Sequence, residues 1–336
     1  MMVQGAAMPA AALHAMPIGC QRPFAVGAVP VYLFLLLGWA GMPFALHRTG
    51  LHIAVDEFAM FGGMMLGILW FAWCLRARGL LRLATMIEGY ALFTAICATV
   101  CLLTFVLAAG PHPYFDGALA RADRILLPGF DWPRAMLAFD RSGLPVRIAN
   151  IAYASIGWQP ALLIALHALG GRHRRLWHFL AAWVLTLCVV MAFFAHHPAL
   201  GAYHHFGIAA AQVPAMLDPV PWNQPRLLLA LQDGTIGTIS FATLDGIINY
   251  PSFHAGAAVL LGYGFWHLPP LRWPFALLNA LMLAAAVPIG GHYVVDLVAG
   301  ILAAAIGIVG GRWMVDQVSP ASTTAISAPP TATPRA

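Results

Sequence analysis

Gly290-Gly291-His292-Tyr293-Val294-Val295-Asp296 runs straight into an apolar stretch that continues to residue 314. Such a stretch reaches the ~20 residues needed to cross ~30 Å of bilayer hydrocarbon. The polar cluster therefore sits where a membrane helix meets water. A second cluster, Pro251-Ser252-Phe253-His254, stands at the head of another apolar run, 253–267. One further run, 273–289, lies between them, so the chain leaves and returns, and both histidines come back to the same membrane face.

Composition agrees with this reading. Of 336 residues, 61% are hydrophobic and 9% charged, which places the chain among integral membrane proteins. A soluble domain this apolar would expose large patches and aggregate. The expected architecture is an all-α polytopic bundle of about eight spanning helices, over residues 29–46, 58–75, 83–109, 148–169, 176–195, 253–267, 273–289 and 293–314. Residues 1–28 are expected to form an N-terminal segment, 29–109 a set of N-terminal spanning helices, 110–316 the membrane domain carrying the histidine motifs, and 317–336 a disordered Ser/Thr/Pro/Ala-rich tail. The first residues lack a positive n-region, so no cleaved signal peptide is expected.

Lysine is absent, and all 17 basic side chains are arginine. They lie in loops rather than in a stripe, so no nucleic-acid partner is read from the net charge of +5. Arg76, Arg78 and Arg82 crowd one short loop, Arg172, Arg174 and Arg175 another, and Arg272 and Arg312 flank the last helices on that same side. The positive-inside rule makes this side cytoplasmic. The two histidine motifs then face outward, to the periplasm if the chain sits in a bacterial inner membrane. Two long connections, 110–147 and 196–250, lie on that outer side. Residues 118–127 have helical periodicity suited to the interface, and the charges around them either solvate a loop or do something more.

The residue types point to phosphoryl transfer on a lipid. His292 and Asp296 are four apart, so they share a helix face. The carboxylate can take the proton of one ring nitrogen and leave the other as a nucleophile toward phosphorus. His254 is placed to serve as general acid and then base. Ser252 is an N-cap candidate, and the amides of a helix start favour an anion. A carboxylate just inside an apolar helix costs roughly 2.5–3.5 kcal/mol on insertion scales, so Asp296 needs a partner, and His292 is at hand.

Pro251-Ser252-Phe253-His254 and His292-Tyr293-Val294-Val295-Asp296 resemble the second and third signature motifs of the phosphatidic acid phosphatase type 2 superfamily. The likeness is greatest to its inositol phosphorylceramide synthase (inositolphosphotransferase) branch and the bacterial homologues of that branch. Asp245-Gly246-Ile247-Ile248-Asn249-Tyr250, Gly290-Gly291, and the weaker pattern Phe130-Asp131-Trp132 followed by Ala152-Tyr153-Ala154 also resemble it. Coverage runs from about 110 to 305. The resemblance implies a six-helix phosphatase-type core, an outward-facing site, a phosphohistidine intermediate, a phospholipid or lipid phosphate substrate, and no metal or other cofactor. The chain departs from the wider superfamily at Ala286, six residues before His292, where an arginine is usual, and it lacks the lysine- or arginine-led first motif. Arginines on the outer side are therefore candidates for holding phosphate: Arg226 and Arg147 first, with Arg134 and Arg141 beside them.

Other candidates are weaker. The doublets His196-His197 and His204-His205 have no acidic or cysteine ligand beside them, and no metal site is read there. Glu88, within the third apolar run, calls for an internal polar partner that the sequence does not name. Two rival readings remain open: a transporter or flippase without phosphoryl chemistry, and a non-catalytic scaffold with a degenerate site.

Overall fold

The computed structural model describes residues 24–319. The expectation of no cleaved signal peptide falls on residues 1–23, and that of a disordered tail from 317 falls on 320–336 except for its first three residues, of which 317 and 318 end the last helix; the rest lies outside the described residues. Among the described residues the chain is all-α apart from one short parallel pair, β1 (His52–Ile53) and β2 (Thr238–Ile239), in register His52 to Thr238. The first three helices are α1 (Val29–Thr49), α2 (Val55–Ala77) and α3 (Leu81–Ala108). Two shorter ones, α4 (Asp116–Leu126) and α5 (Trp132–Asp140), lead into α6 (Leu144–Ala154) and α7 (Gln159–Leu169). Then come α8 (His173–Phe194), α9 (Ala202–His205) and α10 (Val220–Gln232). The last three are α11 (Phe253–Trp266), α12 (Arg272–Ala285) and α13 (Val294–Val318).

All eight apolar runs are helical, but they differ in length. Five helices, α1, α2, α3, α8 and α13, have the length and apolar character to cross a bilayer, and α6 with α7 makes a sixth if the bent pair counts as one span. The runs expected over 253–267 and 273–289 are present as the shorter helices α11 and α12. Proline supplies the reason. Pro269-Pro270 follows α11 and Pro288 follows α12, and proline cannot continue a helix. Each stops at 14 residues, about 21 Å at 1.5 Å per residue, short of the ~30 Å of hydrocarbon. The run 148–169 bends by 51° at Ser155–Gly157, just before Pro160 at the start of α7.

Three helices, α8, α11 and α13, form the centre, with α8 running antiparallel to α13. Small residues set their spacing, since lipid gives helices no hydrophobic reason to associate and close van der Waals contact must do it. Gly307 faces Thr186 and Gly311 faces Ala182, both on α8, while Gly300 lies against the Ser252 carbonyl at the start of α11. At the far end, Arg174 and His178 of α8 both bond Asp316 of α13, each at 2.7 Å. The largest buried cluster fills the space between α3, α7, α8 and α11 with Leu92, Ile96, Leu163, Phe179, Leu180, Leu261 and their neighbours.

The N-terminal helices pack outside this centre and present exposed apolar side chains, among them Leu36, Leu37, Met60, Leu66 and Trp70, as a lipid-facing surface requires. Glu88 finds its partners here. Its Oε2 accepts from Arg76 of α2, and Oε1 accepts from the Tyr32 hydroxyl of α1 at 2.9 Å and the Ala25 amide at 3.1 Å. A buried carboxylate persists only when paired and hydrogen-bonded, and this one is both.

A side chain at Gly307 would collide with the Thr186 hydroxyl and the Ala182 carbonyl of α8. Gly307→Leu is expected to cost about 1–3 kcal/mol through overpacking, read as a lower melting temperature in detergent. Gly62→Ala in α2, where nothing lies within 4 Å of the added carbon, should leave that temperature unchanged.

Candidate functional site

The two histidine motifs meet at one end of the central trio. Ser252 caps α11, its hydroxyl accepting the Ala255 amide at 3.3 Å, and its own amide donates to the Asp296 carbonyl at 3.4 Å. That cross-bond ties the start of α11 to the first turn of α13. After α12 the chain turns through Pro288 and Gly290-Gly291. Gly291 has φ of 67°, and an added carbon would lie 2.7 Å from the Tyr203 ring, so only glycine fits there without strain. The turn delivers His292 two residues before α13 begins.

His292 Nδ1 lies 2.6 Å from Asp296 Oδ2, and both side chains are buried. Asp296 is 0% exposed, and its other oxygen, Oδ1, has no hydrogen-bond partner. With Nδ1 engaged by the carboxylate, Nε2 is the nitrogen left free. The His254 ring lies with its centroid 6.4 Å from that of His292. Tyr153 of α6 lies flat on His254, centroids 3.9 Å apart and planes 12° from parallel, with its hydroxyl 3.1 Å from Nδ1. A phenol stacked this way reaches Nδ1 from the ring face and so holds the orientation of the imidazole. The amides of Phe253 and His254, in the first turn of α11, have no acceptor within the helix.

Residues beyond the motifs hold this arrangement. Asp123 of α4 accepts the amides of Val294 and Val295, both at 2.8 Å, and so caps α13 from outside. Asp116, two helical turns earlier, accepts the amides of Leu200 and Gly201 at 2.8 Å and the Tyr293 hydroxyl at 3.0 Å. Trp132 donates its indole N–H to the His292 carbonyl at 3.3 Å. The helical stretch expected near 118–127 is therefore present as α4, and two of its charges are buried supports rather than solvated loop groups. A signal for them existed: Asp116 and Asp123 are seven residues apart, which puts them on one face of a helix. The Phe130-Asp131-Trp132 and Ala152-Tyr153-Ala154 stretches likewise place Trp132 and Tyr153 against the two histidines.

Outside the spanning helices, burial is the largest influence on two neighbouring groups. It pushes the Asp218 carboxyl above the usual carboxylate range, against the hydrogen bond from the Val220 amide. It also raises the Tyr203 phenol, with Asp140 adding to the shift. Tyr203 thus stays a donor, and it gives its proton to the Pro288 carbonyl at 2.6 Å, fixing the turn before His292.

The expected arginines are placed differently. Arg226 is exposed and lines a cavity of about 360 Å³ with Tyr203, His204 and Trp222, which neither site imidazole lines. Arg147 is exposed on α6. Among the described residues no hydrogen bond or ion pair joins an arginine to His254, His292 or Asp296. Of the histidine doublets, His197 stacks near Phe115 and His205 near Phe206. A smaller cavity of about 180 Å³ opens beside His254, lined chiefly by Val100, Trp183, Leu187, Ile247, Ile248 and Phe253.

Such a fold defines a multi-pass α-helical membrane protein, with a buried imidazole–carboxylate pair and a second imidazole gathered at one end of its bundle. A family described as the PAP2 superfamily matches residues 117–310, a span that holds both histidine motifs. The chain belongs to that superfamily, and membership supports an enzyme of phosphatase or phosphotransferase type. Comparison with curated proteins and with solved structures returned no match.

Removing the Asp123 carboxylate would strand two backbone donors at the head of α13. Asp123→Ala is expected to cost roughly 1–3 kcal/mol. Amide exchange at Val294 and Val295 should speed up while exchange in the middle of α8 is unchanged.

Proposed function

We propose that this chain is a lipid phosphotransferase or lipid phosphate phosphatase, similar to inositol phosphorylceramide synthase, that works through a phosphohistidine at His292. The observation that carries the reading is the buried His292–Asp296 pair at 2.6 Å with His254 facing it. The gap between the two rings suits one phosphorus, with reacting atoms about 3 Å away on either side.

In the first step the Nε2 lone pair of His292 attacks phosphorus, and the bond from phosphorus to the leaving oxygen breaks. His254 gives that oxygen its proton. Asp296 holds the Nδ1 proton and balances the positive charge that grows on the ring. In the second step the oxygen of an alcohol or of water attacks, the P–N bond breaks, and His254 takes the incoming proton. An alcohol acceptor gives transfer and water gives hydrolysis. The free amides at the start of α11 can face the phosphoryl oxygens, in a site to which no arginine is bonded among the described residues. Arg226 and Arg147 remain candidates for a headgroup farther out. No metal ion is invoked, since the named groups complete both half-reactions.

The apolar cavity beside His254 supports a lipid substrate, because it offers an acyl or sphingoid chain a dry wall next to the reacting group. With the arginine-rich loops on the cytoplasmic side, the site faces outward, to the periplasm if the membrane is a bacterial inner membrane.

Purified protein with labelled phosphatidylinositol or diacylglycerol phosphate, with and without ceramide, should yield an acid-labile phosphoenzyme and either transfer or release of label. His292→Ala should abolish the phosphoenzyme. His254→Ala and Asp296→Asn should each lower turnover by about 10²–10⁴-fold. Undiminished turnover in His292→Ala would overturn the mechanism.

A further inference from the structure

At the end of the bundle away from His254 and His292 lies a larger cavity, of about 490 Å³, between the start of α8 and the ends of α11 and α13. It is lined by Arg172, Arg174, Arg175 and Arg312, with His178 and a single carboxylate, Asp316. That carboxylate is already engaged: Arg174 bonds it through Nε at 3.1 Å and Nη2 at 2.7 Å, and His178 bonds it at 2.7 Å. The guanidinium groups of Arg172, Arg175 and Arg312 make no hydrogen bond or ion pair among the described residues. Three unpaired guanidinium groups thus face one concavity of ligand size. A guanidinium matches a phosphate oxygen pair with two parallel N–H donors, so the group that answers this charge and this geometry is a phosphate ester.

The surroundings put the cavity at headgroup depth. Trp266, Trp273 and Trp313 are all exposed beside it, at the end of α11, the start of α12 and the end of α13. Trp266 meets Trp273 edge to face at 5.2 Å, and Arg272 stacks on Trp273 at 5.6 Å. Exposed tryptophans of this kind mark the interface between hydrocarbon and headgroups. We propose that this cavity binds the phosphate of an anionic phospholipid in the leaflet opposite the histidine site. It is a second lipid site, with no group in common with the first.

The test uses full-length protein in nanodiscs of phosphatidylcholine with phosphatidylglycerol, and counts retained phosphatidylglycerol by native mass spectrometry. A parallel arm titrates inorganic phosphate into the protein in detergent. Arg312→Gln should weaken phosphatidylglycerol binding by about fivefold and the combined Arg172→Gln, Arg175→Gln, Arg312→Gln variant by about a hundredfold. Arg48→Gln, which removes the same single charge at the far end of α1, should change nothing. Loss of phosphate binding with the same variants, and no retained lipid, would assign the cavity to a soluble anion and overturn its lipid identity. Equal binding by wild type and the triple variant in both arms would overturn the site altogether. Either result leaves phosphoenzyme formation at His292 to be judged separately.

Discussion

A carboxylate with no exposed surface, in the first turn of a membrane helix, is the constraint from which the rest of the site follows. Asp296 could not stay ionised there without a partner at contact distance, because desolvation would outweigh anything the helix terminus returns. His292 fills that need at 2.6 Å, and doing so fixes which ring nitrogen is occupied and which is free. The backbone then has to bring His292 back over the helix it precedes. This explains a left-handed Gly291, a turn pinned by Tyr203, and a cap for α13 supplied by Asp123 rather than by a side chain at its own N-cap. Each of these holds one short peptide, 288–296, in one shape.

The second histidine reaches its place by a different route. His254 rides on α11, and α11 is held by contact rather than by charge: Gly300 admits the Ser252 carbonyl, and Ser252 bonds the Asp296 carbonyl in return. The distance between the two imidazoles is therefore set by how closely two helices can approach. In lipid that depends on side-chain size along the contact, and this is why glycine and alanine recur on α13. Ala286 fits the same crowding, since it is fully buried and its carbonyl accepts the His292 amide.

Much of this was legible in the sequence where spacing alone carries the information. His292 and Asp296 at four residues, Ser252 before His254, and the apolar runs needed only helix periodicity and length. Prolines at 269, 270 and 288 end α11 and α12 within their apolar runs, and Pro160 accompanies a break in the fourth run; hydropathy averages across such breaks. Asp116 and Asp123 looked like loop charges because their partners are main-chain amides far along the chain, and backbone donors leave no mark in composition. Glu88 announced that it needed company, yet Arg76, Tyr32 and Ala25 became its partners only through tertiary packing. The arginines of the two long connections illustrate the limit most directly: spacing along the chain does not carry their distance from the imidazoles.

The apolar hollow beside His254 has mixed ancestry. Trp183, Leu187, Phe253 and the 246–248 segment come from the part of the chain that matches the superfamily, whereas Cys97, Val100, Cys101 and Thr104 come from α3, ahead of it. Part of the groove's wall is thus contributed by α3, which carries neither histidine of the site. With the lipid substrate proposed above, substitution along that face of α3 would reshape which hydrocarbon tails fit without disturbing the imidazoles, leaving substrate preference and chemistry to evolve on separate stretches of the polypeptide.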